Sequence, residues 1–522
     1  MSLLRNFATV SGGTATSRLL GFIRDVMMAA GLGTGPVADA FLVAFRFPNL
    51  FRRIFAEGAF NSAFIPLFAK SLEGQGAKSA RQFAEEALSA LLFTLLVLTA
   101  AAEIAMAPLM LVMAPGFVSD PDKFDLAVLL SRICFPYLLF ISLVALLSGV
   151  LNALGRFAAA AFASALLNFV LIAFLAAIFW LGLEETPRAG IWLAWGVFVA
   201  GVCQLVMLVV ASRRAGMGLA IIRPRLTPGV RRLIALGIPA VVTGGITQIN
   251  IVVGTVIASL REGAVSYLYY ADRIYQLPLG IVGTAIGVVL LPELARRLRA
   301  GDDVGVQTAQ NRAFEFTLAL TLPAACALIL VATPIIRGLF ERGAFDPADT
   351  RATAQALAAF ALGLPAFVLG KVFQPAFFAR EDTRTPMWFA GINAAANIVL
   401  SLALFPVLAH VGIALATSIA GWIHTGLLAG RLWRDGYFVA DGRLKSRALR
   451  AIAATAIMAA VLLLVEWLLR PFSGSGRDLA NAMVLAALVA AGGASYALAA
   501  MLTGVLTREE FARALGRRRT GA

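Results

Sequence analysis

Residues 9–32 read TVSGGTATSRLLGFIRDVMMAAGL. At about 1.5 Å per residue, this stretch is long enough for a helix that crosses the roughly 30 Å hydrocarbon core of a bilayer. Yet it carries Arg18, Arg24 and Asp25. Counting it or dropping it decides the fold, because one span more or fewer reverses the side on which every later loop falls. Residues 37–68 pose the same question, with Asp39, Arg46, Arg52, Arg53 and Glu57 set among apolar residues.

The remainder of the chain answers it. Of 522 residues, 60% are hydrophobic and only 14% charged, against about 25% charged in a soluble globular domain. Mean hydropathy is +0.85, which excludes a single water-soluble domain and a disordered chain. Twelve apolar runs follow the two ambiguous ones, at 84–113, 126–151, 157–181, 189–211, 233–260, 264–294, 314–336, 354–378, 387–409, 411–432, 449–468 and 479–502. Of these, 233–260 and 264–294 are interrupted by polar residues. Lys and Arg collect on cytoplasmic loops. With both ambiguous spans counted, the loops after even-numbered spans and the tail hold 25 of these residues and the odd-numbered loops hold 8. The asymmetry predicts an all-α polytopic membrane protein with fourteen spans and both termini in the cytoplasm. The net charge of +15 then belongs to a membrane's cytoplasmic face rather than to nucleic acid. The first ten residues hold one Arg and lead into a Gly/Ser/Thr-rich stretch, unlike a cleaved signal, so the chain is expected to be mature protein. Cys134, Cys203 and Cys326 stand singly in apolar runs, which supports neither a disulfide framework nor redox chemistry.

A weak internal repeat appears at an offset of 226 residues. Ile65-Pro66-Leu67 ends the second span and Leu291-Pro292-Glu293 ends the eighth, while Pro108 and Pro334, and Ala153 and Ala379, share the same spacing. Ala44-Phe45-Arg46 and Ala271-Asp272-Arg273 differ by one residue more. Six spans per repeat gives two halves of like orientation. The expected organisation is an N-terminal lobe at 1–215, a C-terminal lobe at 216–436, an appended pair of spans at 437–505 and a basic cytoplasmic tail at 506–522. The cleft between the six-helix lobes is the expected pathway.

Ionisable residues inside a span cost several kcal/mol and need a partner, water or the interface. On the first span Thr14, Arg18, Gly21 and Asp25 share one helical stripe, with Ser17 and Arg24 on its flank. Asp39, Arg46 and Arg53 share a face of the second, where Pro48-Asn49 interrupts the helix and Glu57 sits four residues after Arg53. The eighth span carries Asp272-Arg273, then Gln276 and Pro278. Arg52, Arg53 and Glu57 can be read as a self-neutralised cluster, and Asp25 and Asp39 equally as partners for arginines or as substrate contacts. Arg18, Arg24 and Arg273 have no local acid sufficient to cancel them in this reading. Their planar forks suit phosphate oxygens, which points to an anionic, phosphate-bearing ligand. Gly31-Leu32-Gly33-Thr34-Gly35 follows no strand and no GxxxxGK[ST] occurs, so it reads as a turn and no ATPase engine is expected. His410 and His424 have no ligand set around them and read as structural. Large loops with paired carboxylates, as an enzyme on lipid-linked sugars would carry, are absent from the sequence.

The run from Ser17-Arg18-Leu19-Leu20-Gly21-Phe22-Ile23-Arg24-Asp25 through Asp39 to Phe60, which contains Phe47-Pro48-Asn49-Leu50-Phe51-Arg52-Arg53, resembles the signature of the MurJ (MviN) lipid II flippases. Tyr270-Ala271-Asp272-Arg273, Leu290-Leu291-Pro292, Arg342-Gly343-Ala344-Phe345 and Ala379-Arg380-Glu381-Asp382-Thr383-Arg384-Thr385-Pro386 fit the same family, over about residues 3–435. The resemblance implies a multidrug/oligosaccharidyl-lipid/polysaccharide exporter fold with a central cavity. It also implies a transporter, not an enzyme, that moves the peptidoglycan precursor lipid II across the bacterial inner membrane and serves cell-wall biogenesis and cell shape. Its expected partners are lipid II, membrane lipids and the cell-wall synthesis machinery. Arg18, Arg24, Arg52 and Arg273 are the substrate-binding positions it implies, supported by Asp25, Asp39, Arg53, Glu57 and Asp272, with the last two spans forming a groove for the polyprenyl tail.

Two departures stand out. Gln276 occupies a position where some relatives carry Glu. The sodium site of some members, formed with carboxylates, is matched only by Asn393, Asn397 and Thr417, whose neutral oxygens make a weak cation site. No other cofactor is expected. The alternatives are a flippase for another polyprenyl-diphosphate oligosaccharide and, further off, a membrane-embedded enzyme acting on lipid-linked sugars.

Overall fold

The computed structural model describes residues 3–51 and 61–505, and every regular element among them is helical. The chain divides into two compact units, Met1–Ser266 with Gly343–Phe345, and Tyr267–Arg342 with Asp346–Ala522.

The first unit holds α1 (Leu3–Leu32), α2 (Pro36–Phe51), α3 (Asn61–Ile104), α4 (Met106–Met113), α5 (Pro121–Cys134), α6 (Tyr137–Ala153), α7 (Ala158–Leu181), α8 (Pro187–Arg214) and α9 (Pro228–Ser259). The division between units falls inside α10 (Ala264–Arg299). The second unit continues with α11 (Asp303–Leu330), α12 (Ala332–Phe340), α13 (Pro347–Ala361), α14 (Leu364–Phe378), α15 (Arg384–Arg434), α16 (Gly442–Leu469) and α17 (Asp478–Thr503). Nine helical stretches among the described residues are long and apolar enough to cross a membrane. Some hold more than one crossing. α3 bends at Gly76 (φ 84°) and α15 at Ala409 (φ 50°), where two spans run together as one helix. Other crossings are broken in the middle, as α5–α6 is at Phe135-Pro136. The helices are consistent with fourteen crossings, and the protein is an all-α, multi-pass membrane protein.

The 226-residue offset is written into the helix boundaries. Asp120 and Asp346 each cap a helix that begins with proline, Pro121 for α5 and Pro347 for α13. Each carboxylate accepts a backbone N–H of the first turn, from Lys123 and from Ala348 and Asp349 respectively, and so satisfies groups a helix start leaves open. The starts of α4 and α12 at residues 106 and 332, and of α7 and α15 at 158 and 384, keep the same spacing. Pro108 and Pro334 sit third in their helices, where the missing N–H of proline costs no intrahelical bond.

Large apolar side chains point outward in both units, Trp180 at 86% and Val407 at 81% exposure among them. On a water-soluble protein such a surface would aggregate, whereas lipid solvates it. Within the first unit, Phe64, Phe68, Leu146, Val150 and Leu208 pack with Ala80 and Ala84 of α3. In the second, α16 and α17 pack on each other and on α11 through Ala319, Ala451, Ala454, Ala499 and Ala500, small residues that let helix backbones approach. Tyr496 donates to the carbonyl of Ala319, and Glu315 of α11 pairs with Arg312 and, at 3.5 Å each, with Arg443 and Arg447 of α16.

Candidate functional site

Helix α1 lies against α7 because one of its faces is nearly bare. A Cβ at Gly13 would fall 2.9 Å from Cβ of Ala161, and one at Gly21 would fall 3.3 Å from Nδ2 of Asn168. Ser17 lies between them on that face, and its carbonyl accepts from Asn168 Nδ2 at 2.9 Å. The amide oxygen of Asn168 in turn accepts from Arg24 Nη1 at 2.8 Å. Arg24 also donates from Nε and Nη2 to Asp25 Oδ1, at 3.1 and 2.6 Å, and both residues are buried. Arg24 therefore has an adjacent acid, contrary to the expectation from sequence. The pairing escapes helical-wheel reasoning because residues i and i+1 diverge on the wheel, while a long guanidinium folds back across the step. Arg18, two turns before Asp25 on the same stripe, is exposed, with no acidic side chain within ion-pair distance among the described residues.

Asp39 is wholly buried and fully occupied. Lys123 Nζ and the backbone N–H of Gly263 donate to Oδ2 at 2.8 and 2.9 Å. The backbone N–H and hydroxyl of Ser266 donate to Oδ1 at 3.0 and 2.7 Å. Four donors use the acceptor positions of a carboxylate, and two of them are backbone N–H groups at the start of α10, which a carboxylate stabilises through the helix dipole. Of the two readings the sequence left open, the structure gives Asp39 a basic partner, but that partner is a lysine. Lys123 is itself buried and lies 4.4 Å from the centre of the Phe117 ring. Arg46 donates from Nη1 to Thr255 Oγ1 of α9 at 2.7 Å. Arg52, Arg53 and Glu57 lie outside the described residues.

In the second unit Arg273 is half-buried, donates to the Tyr269 hydroxyl at 2.9 Å, and lies 4.6 Å from that ring's centre. Stacking and hydrogen bonding to one tyrosine together fix the plane of the guanidinium fork. Asp272 accepts from the amide of Gln276. On α10 the residues Tyr269, Arg273, Gln276, Gly280 and Gly283 follow a 4-3-4-3 spacing and so share one face. Lys371 of α14 reaches that face: a Cβ at Gly283 would fall 2.7 Å from its Nζ and 2.8 Å from its Cδ. It is half-buried, with no acid within ion-pair distance among the described residues.

For sodium, Thr417 donates to Asn397 Oδ1 at 3.3 Å and to the carbonyl of Ile413 at 2.9 Å, while Asn393 sits one turn before Asn397 in α15. All are neutral oxygens, and no cluster of three His, Cys, Asp or Glu side chains that could hold a metal occurs among the described residues. His410 lies 2.9 Å from the carbonyl of Ala352 and packs on Tyr267.

Residue type and position within a span singled out the arginines in the sequence, and the structure adds Lys123, Asn168 and Thr255 as partners of Asp39, Arg24 and Arg46, with Lys371 beside Gly283. Lys371 is the one the sequence could have yielded, as a lone ammonium in an otherwise apolar run.

Residues 28–475 match the family model described as Lipid II flippase MurJ. A probable lipid II flippase MurJ of Rhizobium meliloti (strain 1021) is 54% identical over 499 residues, 95% of this chain and 93% of that protein. The lipid II flippase MurJ of Burkholderia cenocepacia is 36% identical over 444 residues, 84% and 85% of the two chains. Among solved structures, a lipid II flippase MurJ in an inward closed conformation superposes with a TM-score of 0.76 at 26% identity, covering 97% of this chain and 99% of that one. An inward-facing multidrug resistance MATE transporter of the MOP superfamily shares the fold at a TM-score of 0.65 and 16% identity, over 80% and 95%. With a family model matched along most of its length and relatives this similar over 84–95% of it, the chain belongs to the lipid II flippase MurJ family.

Proposed function

We propose that this protein moves lipid II, an undecaprenyl-diphosphate-linked disaccharide-pentapeptide, from the cytoplasmic to the outer leaflet of the bacterial inner membrane. The observation that carries the reading is the family match over residues 28–475; Arg18 and Arg24 in the 30-residue α1 and Arg273 in the 36-residue α10 support it. Membership makes the chain a transporter rather than an enzyme. Arg18 and Arg273 take the diphosphate through charge-assisted, bidentate hydrogen bonds. Arg24 is held by Asp25 and Asn168, and Arg52 is assigned by the family resemblance alone. Asp25, Asp39 and Asp272 support this set by orienting basic or amide side chains.

Transport proceeds by alternating access, with the headgroup among the arginines and the polyprenyl tail in lipid along the α16–α17 pair. The headgroup is anionic and the cell interior negative, so the membrane potential favours export by about 2.3 kcal/mol per charge per 100 mV. No step is routed through sodium, because the Asn393, Asn397 and Thr417 oxygens supply no negative charge. Both termini face the cytoplasm, and the product is delivered to the cell-wall synthesis machinery outside.

The test is transport of labelled lipid II in proteoliposomes, for wild type beside Arg18→Ala and Arg273→Ala. Wild-type movement that drops about tenfold or more in each folded variant, the scale of one charged hydrogen bond, is the expected result. Full activity in both variants overturns the arginine assignment. Movement of a different polyprenyl-diphosphate oligosaccharide in place of lipid II replaces the substrate.

A further inference from the structure

We propose that Lys371 is a specificity contact that pairs with a carboxylate on the peptide of the transported headgroup, separately from the diphosphate. The proposal rests on the lipid II reading above and extends it to a second anionic group.

The argument starts from cost. A lysine within a span is unfavourable unless it meets an acid or water. Among the described residues Lys371 has no acid within ion-pair distance, and it is only half-buried. Its side chain lies flat on α10, at a place where Gly283 offers no Cβ to displace it. The same face of α10 carries Arg273 ten residues earlier, about 15 Å along the axis. Arg273 leans onto Tyr269, one turn further from Gly283, and so away from the Lys371 ammonium beside Gly283. Between them lie Gln276 and Gly280, which add no charge and little bulk. Two positive groups this far apart cannot share one diphosphate, whose two phosphorus atoms are joined through a single bridging oxygen. They suit a ligand with two anionic centres held at a distance. A compact ammonium with three donors fits a carboxylate, whereas the bidentate fork of arginine is the better match for phosphate oxygens.

The experiment uses the full-length protein in detergent and in proteoliposomes, with two ligands: lipid II, and undecaprenyl diphosphate, which has no peptide. Wild type, Lys371→Gln, Lys371→Arg and Gly283→Leu are compared for binding, and Lys371→Cys, in a background lacking Cys134, Cys203 and Cys326, for reaction with a membrane-impermeant thiol reagent. We expect Lys371→Gln to weaken lipid II by about tenfold, the scale of one charged hydrogen bond, while leaving undecaprenyl diphosphate unchanged. Lys371→Arg should restore most of the loss. Gly283→Leu, which pushes the ammonium aside without removing it, should lie between. The Lys371→Cys variant should react with the reagent and be protected by lipid II. An equal loss for both ligands, no loss for either, or an unreactive Lys371→Cys variant overturns the proposal while lipid II binding by wild type stands. Wild type that fails to bind lipid II overturns the functional reading, and this proposal with it.

Discussion

Asp39 illustrates how far a single side chain's role depends on residues distant in the chain. Its four donors come from Lys123 and from Gly263 and Ser266, as many as 227 residues away. The sequence marked the aspartate as anomalous inside a span, and that much was legible. It could not supply the partner, because helix packing, not spacing along one helix, brings α2 to the start of α5 and α10. The same holds for Arg24, whose contact with Asn168 spans 144 residues. Removing Asp39 leaves a buried ammonium alone, a change that costs about 3–5 kcal/mol, and also strips the Gly263 and Ser266 donors of their acceptor, a loss that removing the lysine charge does not repair. We therefore expect Asp39→Ala to lower the thermal midpoint in detergent markedly, and Asp39→Ala combined with Lys123→Met to recover part of it. A double variant no more stable than Asp39→Ala would show that the buried pair is not what Asp39 contributes.

At the scale of elements, the sequence located spans better than it located their breaks. The prolines at residues 108 and 334 were visible as repeat mates, and the structure shows why: each sits in the first turn of a short helix after a break at Ala105 or Val331. The joining of the eleventh and twelfth spans into α15 was not legible, since nothing in Leu408-Ala409-His410 signals a turn. Ala409 adopts φ 50°, ψ −134°, a region that suits only glycine. The residue is held there because the chain on each side is packed: His410 meets Ala352 and Tyr267, and a Cβ at Gly412 would fall 2.7 Å from the carbonyl of Leu404. Replacing Ala409 by Gly removes the Cβ clash at about 1 kcal/mol or more, partly offset by the greater freedom of glycine in the unfolded chain. The expected outcome is a thermal midpoint equal to or above wild type, measured in detergent. A clear drop would mean the bend is not strained.

For the whole molecule, the charge of the loops carried most of the reading. Counting the two charge-studded spans led to the fourteen crossings with which the helices are consistent, and a scan by hydropathy alone would have lost both. Neither α1 nor α2 ranks among the stretches that length and composition mark as membrane-crossing. The sidedness this implies can be measured on intact cells. In the background free of native cysteines, Asp122→Cys should react with an impermeant reagent from outside, and Lys78→Cys should not; both positions are exposed in the fold. Reversed labelling would invert every loop and the direction of transport with it.

The C-terminal end of α1 is closed by chain that does not yet exist when α1 is made. Ala344 donates to the carbonyl of Ala30 at 2.8 Å, and Gly33 and Gly343, both at positive φ, have no Cβ to keep the backbones apart. A ribosome adding roughly 5–20 residues per second reaches that segment some tens of seconds after α1 has emerged. During that interval a span carrying Arg18, Arg24 and Asp25 must be retained in the membrane without its last contact. The order of synthesis therefore sets a waiting period for the N-terminal half, and slow translation ahead of residue 343 would prolong it.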